Sequence, residues 1–501
     1  MTDRSTFVEE TEDMTSSGEA HYRERSPLLL STAKSSSYMG YNDHESASST
    51  ATASDILLLV TRKGAASSKN VGVNLAKTAA GTGILALPFA CQQGGLILFV
   101  FGTIIIALWN VFSLSRLCDC LTLLLQLGES PHSKISQRSP PPAGTATLGK
   151  IAYYALGDAG LIVLDIMLLL LLSGIVIAYE AAILSFSKGT PFTTHNNLID
   201  ALILAILLVP LCLVEDMSSL SKLSRFGLII LGMTMLVTAG YGVTGYGQRN
   251  LDSNKETPFQ WLPSDGLAGV SHWFGCVVFG FGIVPLTFNF RESMSQPEYL
   301  PNTAMISMLL VASAYILLGI GFLNLYPDIQ DDVLSELPVG WLATLARLAM
   351  IVVVMATAPL LVVPCAEIVE GKIHDDGQVH PTSQLLARSA ISFITVAISF
   401  TLPGFVSVLA FVGCFSVALV SFCVPPFLHW ILLRQMFELN HQQSLDNNCL
   451  SQQHHLTYPV RMMMVDAVAL LVGVAATGVS TLITCDNLIH SGERKGMANR
   501  M

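Results

Sequence analysis

The segment NLAKTAAGTGILALPF, residues 74–89, decides how the chain is to be read. It opens the first apolar run and places Gly81, Thr82 and Gly83 at the centre of that run. Glycine permits backbone conformations outside the helix, and a helix that opens within a membrane frees amide and carbonyl groups that must line a protein cavity. The new half-helix end attracts an anion such as a carboxylate. The alternative is a face of small residues for close helix packing.

A second segment of the same kind distinguishes the two readings. The sequence FGCVVFGFGIVP, residues 274–285, again has glycines at the centre of an apolar run, and Pro285 follows them. If spans 1–5 and 6–10 are inverted repeats, these two segments occupy corresponding positions. A matched pair of Gly/Pro-interrupted spans indicates a transporter site near the bilayer midplane.

Composition excludes a soluble enzyme. Of the 501 residues, 51% are hydrophobic and 12% are charged, against about 25% charged in soluble proteins. The apolar runs are each about 20 residues long, enough to cross the roughly 30 Å hydrocarbon core as a helix. We therefore predict an all-α membrane protein with eleven transmembrane helices in a 5+5 inverted-repeat fold, in which helices 1 and 6 are discontinuous and one helix is extra. The predicted spans are 70–92, 95–117, 159–184, 198–214, 225–247, 269–289, 303–325, 342–366, 386–402, 404–432 and 462–484.

The flanking segments complete the predicted organisation. Residues 1–69 are rich in Ser, Thr and charge and are expected to form a disordered cytosolic tail, followed by the transporter domain at 70–485 and a short lumenal tail at 486–501. With the N-terminus in the cytosol, fourteen Lys and Arg residues fall on the cytosolic side and seven on the other, as the positive-inside rule requires. The net charge of −10 argues against a nucleic-acid partner.

One resemblance to a nucleotide site fails on inspection. Residues 144–150 read GTATLGK, but Ile151 stands where a P-loop needs Ser or Thr for Mg²⁺. With no ATP-hydrolysis site in view, uphill transport would have to be driven by an ion gradient.

The two glycine-containing segments resemble the first and sixth helices of the amino acid/auxin permease family, within the amino acid–polyamine–organocation superfamily. The similarity extends over about 70–485, and the version with Lys77 before Gly81-Thr82-Gly83 is most similar to the vacuolar and lysosomal branches, which include proton-coupled amino acid transporters. The matching residues are 75–90 with Gly94-Gly95, 278–282 with Glu292, Met294 and Pro297, then Pro359, Pro364 and Glu367, and 409–413 with Pro425.

This resemblance implies a secondary active amino acid transporter that works by alternating access in a vacuolar or lysosomal membrane. It implies no cofactor and coupling to H⁺, with Na⁺ as the alternative ion. Two other classes remain open. An amino-acid-sensing receptor would signal through the N-terminal tail, and a channel is disfavoured because no filter-like repeat of charged or carbonyl-rich residues is evident.

The resemblance also implies where the amino acid binds. Its carboxylate would meet the backbone amides of Gly81, Thr82 and Gly83, and its amino group the carbonyls of span six around residues 279–281. Phe279 and Phe281 either shape the side-chain pocket or pack in the core. The predicted substrate-binding residues are Thr78, Ala79, Gly81, Thr82, Gly83, Phe279, Gly280, Phe281 and Gly282.

Ionisable residues within spans are costly and are functional candidates. Lys77 either takes part in coupling or gating or snorkels to the cytosolic face. Glu180 either carries a proton or has a structural role, in a salt bridge or at the membrane interface. Thr357 matches the position at which sodium-coupled relatives supply a hydroxyl ligand, although such a threonine often bonds to its own helix. Asp165 and Asp466 are further charged residues within spans.

The N-terminal tail contains a candidate sorting signal. Glu24, Leu28 and Leu29 match the acidic dileucine pattern E-x-x-x-L-L on the side expected to be cytosolic. This motif resembles signals that direct proteins to lysosomes or vacuoles, and it implies a sorting adaptor as a partner.

Overall fold

The computed structural model describes residues 46–130, 133–142, 144–194, 196–213, 217–245, 260–263, 265–373, 381–402, 404–446 and 457–498. Within these ranges the chain is helical, and its one extended pairing is an isolated bridge between Ala66 and Met294. The α-helices are α1 Ser46–Thr61, α2 Ser68–Ala79, α3 Leu87–Ile97, α4 Thr103–Glu129, α5 Thr147–Leu156, α6 Asp158–Ser187, α7 Asn197–Cys212, α8 Met217–Val243, α9 Leu267–Gly280, α10 Thr287–Ser293, α11 Leu300–Leu325, α12 Trp341–Thr357, α13 Pro359–Ile373, α14 Pro381–Thr401, α15 Phe405–Val412, α16 Val424–Asp446 and α17 Thr457–Ala498.

Nine helical segments in the described ranges are long and apolar enough to cross a membrane, and Leu198–Cys212 is a shorter apolar helix. The protein is therefore a multi-pass membrane protein. The first of the nine, Thr82–Glu129, covers the second half of predicted span one and all of predicted span two. These are separated within it by Gly95, whose φ of 70° lies outside the helical region. That conformation requires glycine, because other L-residues are strained there.

Short segments that are not α-helical interrupt both of the spans that carry the glycine motifs. Span one consists of α2, a 3-10 turn at Thr82–Ala86 and α3, and span six consists of α9, a 3-10 turn at Val284–Leu286 and α10. In span eight only Ala358 separates α12 from α13, and the backbone stays helical there, since Ala358 has helical angles and its amide donates to the Val354 carbonyl at 2.9 Å. Pro359 follows this residue and lacks the amide hydrogen that a continuous helix would use.

The interrupted spans lie at the centre of the fold. Helix α9 packs against α3, α15 and α17, and its residues belong to the larger cluster of buried apolar side chains. Gly275 of α9 meets Gly413 at the end of α15 so closely that a Cβ on either residue would collide with backbone atoms of the other helix. Span six is thus fixed against span ten through backbone-to-backbone packing.

The expected disorder of residues 1–69 does not extend over residues 46–69. Helix α1 packs against α4 and buries Ile56 and Leu59 in a second apolar cluster. Asp55 pairs with Lys150 of α5 at 2.6 Å and also accepts a hydrogen bond from Tyr154 at 3.1 Å. The composition of this segment is polar, but the few apolar residues at helical spacing have a surface to bury against.

The two ends of the chain extend beyond the predicted transporter domain. Helix α17 continues to Ala498, past the predicted end of the domain at 485. The candidate sorting residues Glu24, Leu28 and Leu29 lie outside the described residues.

Candidate functional site

The first half of the site is the interruption in span one. Helix α2 ends at Ala79, and Gly81 has extended backbone angles (φ −98°, ψ −161°) before the 3-10 turn begins at Thr82. The Gly81 amide donates to the Ala79 carbonyl at 2.7 Å. Since the first amides of a helix have no partner within it, those of the turn that starts at Thr82 are available to an anionic group. The predicted break is therefore present at Gly81.

The second half is the interruption in span six. Helix α9 ends at Gly280, and Phe281 and Gly282 connect it to the turn at Val284. The Phe279 carbonyl accepts from the Gly282 amide at 3.2 Å and the Phe281 carbonyl from the Ile283 amide at 2.7 Å. No amide of the described turn at residues 281–284 donates to the Gly280 carbonyl, so this is the carbonyl that the end of the helix leaves available.

The two interruptions lie side by side. A Cβ on Gly83 would be 3.4 Å from the Phe279 ring and 3.5 Å from the Gly280 Cα. Tyr315, on α11, bridges the breaks, since its hydroxyl lies 2.6 Å from the Ala79 carbonyl and 3.0 Å from the Gly280 carbonyl. Sequence reasoning missed Tyr315. A phenol near the middle of an otherwise apolar span, where it needs a hydrogen-bond partner, was the signal available.

Open space borders span one at its break. A Cβ on Gly81 would meet no described atom within 4 Å, so this glycine faces open space. Thr82 is 8% exposed, and its hydroxyl lies beside the hydroxyl of Tyr179 on α6. An open volume next to the first amides of a turn and to these two hydroxyls is suited to a small polar ligand.

The remaining predicted substrate residues divide into two groups. Phe279 is partly exposed beside the break, whereas Phe281 is buried and contacts the Tyr315 ring at 5.1 Å between centroids. Phe281 therefore packs in the core. Ala79 is buried, and Thr78 is exposed with its hydroxyl bonded to the Asn74 carbonyl of its own helix.

Gly280 and Gly282 have a steric role at the second break. A Cβ on Gly280 would lie 2.8 Å from the Tyr315 ring, and one on Gly282 would lie 3.1 Å from Val417. Both distances are shorter than ordinary carbon–carbon contacts. These glycines allow α11 and the π-helical segment at Gly413–Val417 to approach span six closely.

The three candidates for ion coupling lie apart from one another. Lys77 is exposed on α2. The Thr357 hydroxyl donates to the Val353 carbonyl of its own helix at 2.7 Å. Glu180 is fully buried on α6, where its Oε1 accepts a hydrogen bond from Thr395 of α14 at 2.8 Å. Its Oε2 has no hydrogen-bond partner within the described part of the chain.

Glu180 does not line the open space at Gly81, but it directly follows Tyr179, the residue of α6 that contacts the break. Tyr179 contacts Thr82, whereas Glu180 faces α14. Successive residues of a helix point about 100° apart, so one turn of α6 presents a phenol to the break and a carboxyl group to the interior of the bundle.

A loop covers one end of the breaks. Residues 326–340 connect α11 to α12, and the Val333 amide donates to the Leu85 carbonyl at 3.3 Å while the Ile329 amide donates to Gln92 at 3.1 Å. Both acceptors belong to span one. Arg347 of α12 fastens the loop by donating to the carbonyls of Leu334 and Leu337.

A buried carboxyl group makes this loop sensitive to pH. Burial, reinforced by the neighbouring Asp331, raises the pKa of Asp332 to about 7, although hydrogen bonds from Leu334, Ser335 and Ser185 act in the opposite direction. A raised pKa means that the packed loop holds the proton more tightly than an unpacked loop would. Lowering the pH through about 7 therefore stabilises the packed arrangement, and raising it has the reverse effect.

The other end of the breaks is crossed by the segment before α2. The amides of Gly64 and Ala66 donate to the carbonyls of Met294 and Ser293, just after α10, at 2.9 and 3.0 Å. Arg62 pairs with Glu292 at 3.0 Å. Because α11 follows this contact and runs for 26 residues to the covering loop, the two contacts lie at opposite ends of the bundle.

A buried ion cluster joins spans two, ten and eleven. Asp466 of α17 has no exposed surface and lies 3.0 Å from Arg116 Nε and 2.5 Å from His429 Nδ1. Arg116 also pairs with the half-exposed Asp119. The structure thus pairs Asp466, one of the charged residues that stood out in sequence, with groups of two other spans, away from the open space at Gly81.

Comparison with known proteins agrees with this architecture. The model of the family described as transmembrane amino acid transporter protein matches residues 64–451, which is more than half of the chain. The protein therefore belongs to this family, the amino acid/auxin permease family that its first and sixth spans resemble.

Individual relatives are distant but cover most of the domain. Over 381 residues the chain is 24% identical to Amino acid transporter ANT1 of Arabidopsis thaliana, covering 72% of this chain and 83% of the relative. It is 24% identical to Vacuolar amino acid transporter 4 of Saccharomyces cerevisiae, covering 74% of this chain and 54% of that protein. It is 22% identical to the proton-coupled amino acid transporter-like protein pathetic of Drosophila melanogaster, covering 71% and 76%. The family and these relatives are transporters, in agreement with the prediction that the chain is not an enzyme.

Proposed function

We propose that the protein is a secondary active carrier that moves amino acids across a vacuolar or lysosomal-type membrane by proton-coupled alternating access. The observation that carries this proposal is the meeting of two interrupted spans next to the open space at Gly81. A zwitterion offers a carboxylate for the amides that begin at Thr82 and an ammonium group for the carbonyls that end α2 and α9. Backbone dipoles can hold both groups without a buried charged side chain.

The proposed architecture has eleven transmembrane helices, with spans 1–5 and 6–10 as inverted repeats and α17 as the extra helix. The matched interruptions in spans one and six support this arrangement, since corresponding helices of inverted repeats share their breaks. We propose the N-terminus in the cytosol and the C-terminus in the lumen, as the distribution of Lys and Arg favours.

Glu180 is the residue that we propose carries the coupling proton. A carboxyl group that is fully buried, with one hydrogen bond and no salt bridge among the described residues, is costly to keep charged. A proton removes that cost and gives the group a donor. Thr357 supplies a single hydroxyl, which does not by itself make a sodium site, and we therefore prefer H⁺ over Na⁺. The relative whose name includes "proton-coupled" gives the same preference.

Location in a vacuolar or lysosomal membrane is proposed from the yeast relatives named vacuolar amino acid transporters and from the dileucine pattern. Replacing Leu28 and Leu29 by alanine should move a tagged protein to the cell surface if an adaptor reads this signal. A double variant that stays in internal membranes would remove the sorting proposal and leave the transport proposal untouched.

The experiment that tests the transport proposal uses purified full-length protein in proteoliposomes. A panel of radiolabelled amino acids is offered with and without an inward proton gradient, and with sodium replaced by potassium. Saturable uptake that requires the proton gradient and is unchanged in potassium is expected. Binding without flux would favour the amino-acid-sensing receptor, and uptake that requires sodium would favour the sodium-coupled carrier.

A further inference from the structure

Tyr315 contacts both interruptions at once. Its hydroxyl lies within hydrogen-bond distance of the Ala79 and Gly280 carbonyls, and its side chain is almost fully buried. The contact depends on residue 280 being glycine, because a Cβ there would approach the tyrosine ring to 2.8 Å. The Phe281 ring also contacts the tyrosine ring, with 5.1 Å between the centroids. Packing by both residues thus sets the position of the hydroxyl.

The two acceptors are of a special kind. Ala79 and Gly280 are the last residues of α2 and α9, so their carbonyls lie at helix ends. The Ala79 carbonyl also accepts from the Gly81 amide at 2.7 Å, whereas no amide of the described turn at residues 281–284 donates to the Gly280 carbonyl. Both carbonyls also carry the negative ends of two helix dipoles. A phenol has one hydrogen to donate and cannot satisfy two carbonyls at the same time. An ammonium group has three hydrogens and a positive charge, and it satisfies such a pair better.

We propose that Tyr315 is a further residue of the amino acid site. In the empty carrier its hydroxyl donates to the carbonyls that accept the ammonium group of the substrate when the substrate binds. In the empty carrier the single hydroxyl hydrogen is shared between the two carbonyls. On binding, the ammonium group displaces it from the Gly280 carbonyl and leaves it to the Ala79 carbonyl alone. Tyr315 therefore acts as an internal competitor that sets how strongly a primary amine must bind. This inference rests on the proposed amino acid site.

Removal of the hydroxyl gives the sharpest consequence. The Tyr315→Phe variant keeps the ring and its contact with Phe281 but leaves both carbonyls without this donor in the empty state. The ammonium group then displaces nothing, so the affinity for amino acids should rise by about 3- to 10-fold, the range expected for one neutral hydrogen bond. The maximal rate should fall, because the empty carrier loses a contact that holds spans one and six together.

The measurement is the concentration dependence of uptake by full-length protein in proteoliposomes, for an amino acid that the wild type transports. The corresponding carboxylic acid without the amino group is tested as a competitor. The matched control is Tyr326→Phe, which removes another buried tyrosine hydroxyl, one bonded to the Thr238 carbonyl at 2.7 Å just after α11. A lower KM in Tyr315→Phe, with unchanged inhibition by the deaminated acid and an unchanged KM in the control, is the expected result.

A second variant keeps the inference testable if Tyr315→Phe does not fold. In Gly280→Ala the added methyl group should push the Tyr315 side chain away from the carbonyl, and a lower KM is expected here as well. An unchanged or higher KM in the variant that folds would overturn the inference, because it would mean that the hydroxyl does not compete with the substrate. Failure of the wild type to take up any amino acid would instead overturn the proposed function.

Discussion

Replacing Gly81 by valine should abolish transport while leaving the fold intact. The backbone angles of Gly81 are extended and accessible to any L-residue, and a Cβ at this position meets no described atom within 4 Å. The cost to folding should therefore be within about 0.5 kcal/mol, as for substitutions without buried contacts. The valine side chain would instead fill the space beside the amides that we assign to the substrate carboxylate.

The size of the effect follows from the bonds that are lost. A hydrogen bond to a charged group contributes about 1.5–3 kcal/mol, and each 1.4 kcal/mol corresponds to a tenfold change in affinity. Exclusion of the carboxylate from one amide should therefore weaken apparent substrate affinity about 10- to 100-fold, and exclusion from two amides should reduce uptake to background.

The assay compares initial uptake rates in proteoliposomes with thermal unfolding in detergent. The matched control is Gly321→Val on α11. This glycine is exposed whereas Gly81 is half-buried, but a Cβ on either residue meets no described atom within 4 Å. We expect both variants to unfold at the wild-type temperature and only Gly81→Val to lose uptake. Wild-type KM in a correctly folded Gly81→Val protein would refute the placement of the substrate at this break.

Three further predictions concern groups outside the break. Glu180→Gln retains an acceptor for Thr395 but cannot carry a proton, so accumulation driven by a proton gradient should be lost while exchange of internal for external amino acid continues; loss of neither activity would exclude Glu180 from coupling. In the wild type, each pH unit between about 4 and 7 should change the free energy of loop packing by up to about 1.4 kcal/mol, with tighter packing at lower pH. Asp332→Asn should flatten this pH dependence, measured as protease access to residues 326–340. Identical pH profiles of the variant and the wild type would contradict this. Asp466→Asn leaves Arg116 without its buried partner and should lower the free energy of unfolding by about 3–5 kcal/mol, measured by thermal unfolding. The control Asp119→Asn, at the half-exposed pair, should change it by no more than about 1 kcal/mol.

The sequence was sufficient to predict both interruptions of the site. Gly81 and Gly83 in span one, and Gly280, Gly282 and a following proline in span six, are local signals, and the backbone departs from the helix at those residues. Glycine and proline act through their own backbone freedom, so their effect requires no knowledge of the surrounding fold.

Other features depend on contacts between distant segments. The helix that includes Ile56 forms because α4 provides a surface against which it is buried, and the polar composition around it gives no indication of that surface. Tyr315 is visible as a phenol in an apolar span, but its two carbonyl partners come from spans one and six. Asp466 stands out as a charge in span eleven, whereas its pairing with Arg116 requires the relative placement of spans two and eleven.

The aromatic pair of span six illustrates the same limit. Phe279 and Phe281 are two residues apart and equally apolar, so the sequence leaves open for each whether it shapes the pocket or packs against lipid or in the core. The turn after Gly280 separates them, leaving Phe279 partly exposed at the break and Phe281 buried against Tyr315. Which one can contact substrate is decided by backbone geometry.

The central claim is that paired half-helix ends hold the two charged groups of an amino acid. The most direct measurement compares uptake of one transported amino acid in proteoliposomes with competition by its N-acetyl derivative and by its amide. We predict that each blocked form competes at least about tenfold more weakly than the parent, because each loses one charged hydrogen-bonding group. Competition by either form as strong as that of the free amino acid would contradict the account.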